Sequence, residues 1–439
     1  VDAEELSRLV REAGVIGAGG AGFPTYVKYQ AKGIDTYLIN GAECEPLLYV
    51  DQRLMERHSD LLTRTARTVA EALGAPRSLF GLKSKYLGSV GALTAAGAEV
   101  HQMGAYYPAG DEILLIEDCV GRIVPEARLP LEVGVVVNNV ETLYNVARAI
   151  EGIPVTETFV TVGGAVANPG VWAVPIGTDA SELLAAAGGS TADDPIFVDG
   201  GPMMGIYRDD VHFPVSKTTK GLLVLERRSA LARYEKMPLE HMLRQAKFAC
   251  IQCSQCTISC SRNLAGWHLE PHKIMRALAY SNQTHPEILK SAFLCSECNL
   301  CSGLHACPMQ LSPRRVNQLL KKTLREKGIK PDFPKRELQA HPQRSYRLVP
   351  SHRLEARLGL LRYDRPTPYL GLFETRRVTI PTSQGIGAPA EPLVAPGDRV
   401  EKGQLIAKAK EGALSVSVHA SIPGVVRQVT PKNIEIAAE

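Results

Sequence analysis

Cysteine is the residue whose placement most limits what this chain can become. Eight of its ten cysteines fall in two compact groups: Cys250-x2-Cys253-x2-Cys256-x3-Cys260, and Cys295-x2-Cys298-x2-Cys301-x5-Cys307 followed by Pro308. Three thiolates at intervals of three residues can wrap one face of an iron–sulfur cubane, because the turns between them bring successive sulfurs inward and aim backbone N–H groups at the bridging sulfides. Two such groups predict two 4Fe–4S clusters. A pair of structural zinc sites is the competing reading, but tetrahedral zinc is usually held by two separated pairs of ligands and has no use for a third crowded cysteine in each group. The remaining cysteines, Cys44 and Cys119, stand apart. This usage fits a reducing compartment, and a cytoplasmic protein is expected, since an oxidising one would favour dispersed pairs.

The spacing is similar to that of two-cluster ferredoxins, where the distant fourth cysteine of each motif ligates the neighbouring cluster. That resemblance implies Cys250, Cys253, Cys256 and Cys307 on one cluster and Cys295, Cys298, Cys301 and Cys260 on the other. Ser261 stands where proline commonly follows the fourth cysteine, and five residues precede Cys307. Neither change removes a sulfur donor.

At 439 residues the chain exceeds one ordinary core and divides into about three domains of typical size. Its longest apolar runs, residues 113–116 and 133–137, are strand-sized and far short of the roughly twenty residues that span a bilayer. No membrane crossing is expected. The start at Val1, with Glu4, Glu5 and Arg8 nearby, lacks the basic and apolar blocks of a signal peptide. A dispersed net charge of +4 argues against nucleic acid as a partner.

Leu6, Leu9, Val10 and Ala13 recur at helical spacing and predict an opening amphipathic helix. It feeds a loop carrying Gly17, Gly19, Gly20 and Gly22. The glycines spell G-x-G-x-x-G, but the strand that should precede a dinucleotide fingerprint is missing. What survives is a run of backbone N–H groups able to cradle phosphate, with Lys28 as an added cation; a tight surface loop is the alternative. A short strand at residues 37–39 delivers Asn40, Glu43 and Glu45 to a turn, whose carboxylates suit ribose or flavin hydrogen bonds or simply solvation. Residues 61–73 read as helix, residues 107–112 as a loop ahead of a strand at Ile113, and residues 133–137 as a buried strand leading into Asn138, Asn139 and Thr142. Asn138 with Glu141 three residues on forms a capping box for the next helix. Alternating strands and helices to about Ile150 predict an α/β domain.

The glycine loop, residues 40–46 and residues 138–143 resemble the three signature stretches of the NADH-oxidising flavoprotein of respiratory complex I and of its relative, the C component of Rnf complexes. The resemblance implies FMN and NADH contacts from Gly17, Gly19, Gly20, Gly22, Lys28, Asn40, Glu43, Glu45, Asn138, Asn139 and Thr142. Ala18 stands where an arginine is usual in complex I. Residues 154–228, with short strands at 159–162, 171–172 and 196–198 and a helix at 181–187, resemble the SLBB-type β-grasp domain of the same family and are expected to act as a structural spacer. Residues 236–330 make a helical ferredoxin module. With eight thiolates in place, His268, His272, His285 and His305 are expected off the metal. Arg314, Arg315, Lys321, Lys322 and Arg325 line up as a basic face, either solvated or fitted to an acidic redox partner. Residues 331–375 are a connecting arm. Residues 376–439 resemble a lipoyl/biotinyl barrel-sandwich hybrid, with Ala413 where a swinging-arm carrier needs lysine, so the carrier function is absent.

In the Rnf component the barrel-sandwich piece comes first; here it comes last. The expected fold is therefore a multidomain α/β, β-grasp, two-cluster ferredoxin and C-terminal sandwich chain, and it resembles the PduS-type cobalamin reductases of propanediol-utilisation microcompartments. The resemblance implies an oxidoreductase that passes electrons from NADH through FMN and two 4Fe–4S clusters to cob(II)alamin or cob(III)alamin, with no catalytic acid or base. It also implies a microcompartment setting, with an adenosyltransferase and a shell protein as partners. The alternative is an NADH-oxidising relay that feeds a shell protein or membrane complex without reducing cobalamin.

Overall fold

The computed structural model of the chain describes residues 1–279 and 286–439; His285 lies outside them. Helix α1 (Ala3–Glu12) starts where the Asp2 carboxylate accepts the Glu5 N–H at 2.8 Å, and it buries Leu6 and Val10. The glycine loop then leads to a single turn, α2 (Thr25–Lys28). Strand β1 (Thr36–Asn40), helix α3 (Val50–Leu73), β2 (Arg77–Lys83), α4 (Leu87–Ala95), β3 (Val100–Met103), the two-residue β4 (Tyr106–Tyr107), α5 (Glu112–Val120), β5 (Val135–Asn139) and α6 (Val140–Ile150) complete the first domain. Its parallel sheet has the order β3-β2-β1-β5. Tyr37, Ile39 and Val136 belong to the core with α1, α3 and α6, whereas Leu38, Val135 and Val137 belong to the core with α5. Both faces are covered, as parallel sheets require.

Several expectations need correction here. Residues 113–116 are helix, not strand: the Asp111 side chain accepts the Ile113 N–H at 3.0 Å and caps α5, and Ile113 to Ile116 are all buried because the helix is covered on every side. A four-residue apolar run cannot by itself separate these two cases. The cap of α6 is Asn139, whose side chain accepts the Glu141 N–H at 3.0 Å, and not Asn138. Strand β5 starts at Val135, since a 3-10 turn over Pro130–Val133 and Gly134 at φ +73° come first. Helix α3 also begins well before residue 61 and continues through a kink at His58.

Strands β6 (Glu157–Gly164), β7 (Gly170–Pro175), β8 (Pro195–Asp199), β9 (Ile206–Arg208) and β10 (Gly221–Glu226) with helix α7 (Ala180–Ala186) form the second domain. The cysteine-bearing segment runs through α8 (Ala230–Lys236), α9 (Leu239–Ala249), the short turns α10 (Gln255–Ile258) and α11 (Ser261–Leu264), α12 (Pro271–Ala279), α13 (Pro286–Lys290) and α14 (Pro313–Glu326). The connecting arm is more than a tether: β11 (Val349–Pro350) pairs with β4, α15 (Ser351–Arg357) buries Leu354, and β12 (Tyr369–Leu372) becomes the edge of the second sheet, order β12-β7-β6-β10-β8-β9. The last segment folds as two facing sheets from β13 (Arg377–Pro381), β14 (Glu391–Pro392), β15 (Arg399–Val400), β16 (Leu405–Lys408), β17 (Val418–His419), β18 (Gly424–Val429) and β19 (Asn433–Ala437), with orders β13-β19-β18-β15 and β14-β16-β17.

The segments share cores instead of hanging as beads. Val378, Ile406 and Ile436 of the sandwich join the core of α1, α3 and α6. Buried Lys217, from the loop before β10, donates to the carbonyls of Gly14 (2.7 Å) and Ser417 (3.2 Å), tying three segments at one point. Among the described residues no helix is long and apolar enough to cross a membrane.

Candidate functional site

A cleft of about 390 Å³ opens where the glycine loop faces the C-terminal ends of β1 and β5, the place where open α/β sheets offer a ligand site. Gly17, Gly19, Gly20, Gly22, Lys28, Asn40, Asn138, Asn139 and Thr142 all line it, with residues 135–137 of β5 and Leu131 alongside. The loop is pinned at its base by the Gly17 N–H on the Phe23 carbonyl (2.8 Å) and the Ala18 N–H on Thr142 Oγ1 (3.0 Å). Ala18, where an arginine is usual in complex I, is fully buried. Gly22, at φ +66°, lies so close to Gly385 of the sandwich that a Cβ would meet its Cα at 2.6 Å. A Cβ on Gly20 would meet nothing.

The polar side chains divide into those already engaged and those still free. Asn40 donates to the Gly110 carbonyl (2.8 Å) and accepts the Ala42 N–H (3.2 Å), and Asn139 donates to Asp51 Oδ2 (2.6 Å) while capping α6. Lys28 Nζ, its pKa lowered by burial against the pull of Glu112, donates to the Val137 carbonyl at 2.8 Å. Asn138 is different: its Nδ2 donates to the Tyr29 hydroxyl (3.0 Å), but its Oδ1 is buried in the cleft wall with no partner. Among the described residues the N–H groups of Gly19 to Phe23 also take no protein acceptor. Buried polar groups are rarely left unpaired. A nest of N–H groups and an orphan side-chain carbonyl at one cleft suit a phosphate-bearing ligand with a hydrogen-bond donor, as a flavin mononucleotide is.

Glu43 and Glu45 do not line the cleft. Burial pushes each carboxyl up to about 7. Glu43 accepts the N–H groups of Asp51 (2.8 Å) and Gln52 (3.2 Å) at the start of α3. Glu45 accepts the Met203 N–H (2.9 Å) and faces the Tyr107 hydroxyl (3.4 Å).

One residue that sequence reasoning passed over comes from the expected spacer. Lys220 reaches out of the second domain to Asp51 Oδ1 (2.9 Å) and Glu141 Oε2 (2.6 Å). Asp51 in turn holds Asn139, whose Cβ would lie 3.1 Å from a Cβ on Gly19. The β-grasp domain thus supports the cleft from behind. Nothing in the run Ser216-Lys217-Thr218-Thr219-Lys220 announces this, because both partners lie far away in sequence.

The cysteines gather in two sets. Cys250, Cys253, Cys256 and Cys307 ring one small void with His272, Met275 and Met309. Cys301 lies nearest the other set, its thiol raised by burial first, then by neighbouring Cys295, Cys298 and Cys260, and last by Cys256 of the first set. Crowded thiolates need a shared positive centre. Among the described residues no three Cys, His, Asp or Glu side chains converge tightly enough for one metal ion; a cubane, with four irons, holds its ligand sulfurs wider apart than one ion does. N–H groups point at sulfur, Glu297 N to Cys295 (3.3 Å) and Leu311 N to Cys307 (3.4 Å), as bound clusters prefer. His272 donates or accepts at Thr257 Oγ1 (2.7 Å), and His268 pairs with Glu126 (3.0 Å).

The second set abuts the flavin-type domain. Gly110 lines the cleft; its neighbour Asp111 forms a buried ion pair with Arg262 (2.9 Å), two residues from Cys260. The Tyr107 hydroxyl donates to the Cys298 carbonyl at 2.9 Å. The basic face, by contrast, is largely consumed. Arg314 pairs with Glu235, Lys321 with Glu297 and the Cys295 carbonyl, and Arg315 donates to the Tyr234 and Met237 carbonyls. Only Lys322 and Arg325 of the five are exposed.

Comparison with known proteins agrees with this geometry. Residues 10–148 match the Nuo51 FMN-binding domain, 159–207 the SLBB domain, 249–312 a 4Fe-4S dicluster domain and 369–439 the RnfC barrel sandwich hybrid domain. Cobalamin reductase PduS of Citrobacter freundii is 45% identical over 99% of this chain and 97% of its own length, and that of Salmonella typhimurium is 44% identical over the same shares. The chain belongs to the PduS cobalamin reductase family. The C component of the proton-translocating ferredoxin:NAD(+) oxidoreductase complex of Clostridium ljungdahlii is 33% identical over 60% of this chain and 56% of its own. The crystal structure of an NAD+-reducing [NiFe]-hydrogenase in the H2-reduced state shares the fold with a TM-score of 0.50 at 21% identity, over 75% of this chain and 64% of that one. Within the PduS family the present chain thus carries a multidomain α/β fold with an FMN-binding domain, an SLBB domain, a dicluster domain and a barrel-sandwich hybrid.

Proposed function

We propose that this chain is an NADH-dependent cobalamin reductase, drawing electrons from NADH and delivering them to cob(III)alamin or cob(II)alamin. The observation that carries this reading is kinship with PduS cobalamin reductases over nearly the whole length of both chains. When bound, FMN supplies two-electron acceptance with one-electron release, and two 4Fe–4S clusters supply one-electron conduction.

The chain's own residues divide the work of holding these groups. With FMN bound, the N–H groups of the glycine loop would receive phosphate, Asn138 Oδ1 would accept a hydrogen bond, and Lys28 would lend a cation near the loop. Asn40, Asn139 and Thr142 hold the cleft's walls in register. Cys250, Cys253, Cys256 and Cys307 would hold one cluster, and Cys260, Cys295, Cys298 and Cys301 the other; the void ringed by the first set supports this crossed pairing. A propanediol-utilisation microcompartment is the setting, with an adenosyltransferase consuming the reduced corrinoid and a shell protein nearby.

The similarity to an Rnf-type component over 60% of the chain favours the second reading, a relay that oxidises NADH without reducing cobalamin. Anaerobic mixing of the reconstituted protein with NADH and hydroxocobalamin separates them. The reductase converts the corrinoid spectrum; an unchanged corrinoid, with artificial one-electron acceptors still reduced, establishes the relay instead.

A further inference from the structure

We propose that electrons leave the protein at the cage of Cys250, Cys253, Cys256 and Cys307, and that the uncharged apolar surface of Phe248, Ile251 and Met309 around it seats the corrin ring of cobalamin. This rests on the reading above of the cysteines as two clusters serving a cobalamin reductase.

The two cages are not equivalent. The cage of Cys260, Cys295, Cys298 and Cys301 is sealed against the flavin-type domain by the Tyr107 and Asp111–Arg262 contacts, and Cys260 shares a core with Leu38 and Leu114. The other cage faces outward. Cys253 is the exposed one among the eight. Ile251 (61% exposed) and Met309 line the void with it, and Phe248, two residues ahead of Cys250, is 88% exposed. Single apolar residues on a surface are ordinary, but a group gathered over one site marks contact with a partner.

Charge says which partner. From residue 248 to 260 and from 301 to 312 there is no Asp, Glu, Lys or Arg. The basic residues of α14 that could greet an acidic redox protein are mostly spent on Glu235, Glu297 and backbone carbonyls. A neutral macrocycle with a periphery of primary amides fits such a surface, and the exposed Gln255 offers an amide in return. Corrin is also too large to share the 390 Å³ cleft with a flavin, so it must collect electrons at the surface. No bond to the protein is needed: one NADH gives NAD+, one proton and two electrons, and each electron lowers one cob(III)alamin to cob(II)alamin.

The test uses the anaerobically reconstituted full chain and a Phe248→Ala/Ile251→Ser double variant, whose exposed positions leave the core intact. KM for hydroxocobalamin should rise about fivefold or more, and binding of cyanocobalamin in equilibrium dialysis should weaken alongside. NADH:ferricyanide activity and the cluster EPR signals should match the parent. A Lys322→Ala/Arg325→Ala control should change neither constant. An unaltered KM and dialysis isotherm in the first variant, or a raised KM in the control, overturns the docking face while the reductase reading stands. A parent protein that reduces ferricyanide but neither binds nor reduces the corrinoid sinks both.

Discussion

Replacing Lys220 with methionine should cost both stability and flavin affinity. The ammonium is buried between Asp51 and Glu141, whose side chains are 5% and 0% exposed. Burial alone would lower its pKa, but the two carboxylates outweigh that and hold it above the ordinary lysine value. Methionine keeps the stem and removes the charge, leaving two buried carboxylates facing each other. Breaking a buried pair by deleting one partner costs about 3–5 kcal/mol, part of which is recovered if one carboxyl takes up a proton. The strain reaches the cleft because Asp51 also holds Asn139. Flavin affinity should therefore fall by about tenfold, equivalent to ~1.4 kcal/mol. Fluorescence titration of the apoprotein with FMN reads the affinity, and urea unfolding reads the stability. Lys220→Arg should recover part of both. In Lys220→Met/Glu141→Gln the losses should be less than additive, since the two residues share one network. If Lys220→Met matches the parent in unfolding midpoint and FMN affinity, the support that the β-grasp domain gives the cleft is not energetic and the reasoning is wrong.

Other outcomes follow from individual contacts. Cys253→Ala should lose one cluster, with iron falling from about eight to about four per chain, and should stop acceptor reduction while NADH still bleaches the flavin; full turnover in that variant would contradict the order of transfer. Gly22→Ala should destabilise the chain by more than about 1 kcal/mol and impair flavin binding, because φ is +66° and the methyl would strike Gly385; calorimetry showing a parent-like midpoint would refute the clamp. Glu45 has its carboxyl raised to about 7 by burial, above its unfolded value of 4.5. The stability it lends is full below the unfolded value and is lost as pH rises through 7. Glu45→Gln lacks that slope, so its thermal midpoint should gain on the parent between pH 5 and pH 8, and parallel midpoints would count against the buried acid.

How much of this was legible in the residues depends on range. The cysteine groups and the glycine loop carry their chemistry in local spacing; the loop lines one cleft, and Cys250, Cys253, Cys256 and Cys307 line one void. Residues 113–116 misled because buried helix and buried strand share an apolar run; the useful sign was Asp111, a capping residue just ahead of it. The pattern of Asn138 and Glu141 matched a capping box by coincidence, for Glu141 turns instead to Thr158, Phe159 and Lys220. The basic stripe of α14 was real in sequence, yet its partners Glu235 and Glu297 come from elsewhere in the chain. Long-range pairing is what a single sequence does not announce, and Lys220 is the costliest instance.

The most direct test of the whole account is iron, sulfide and flavin analysis of the anaerobically reconstituted full-length chain. The account predicts about eight irons, about eight sulfides and one FMN per chain. Stoichiometric zinc on the cysteines, or a colourless protein that retains no flavin, would contradict it.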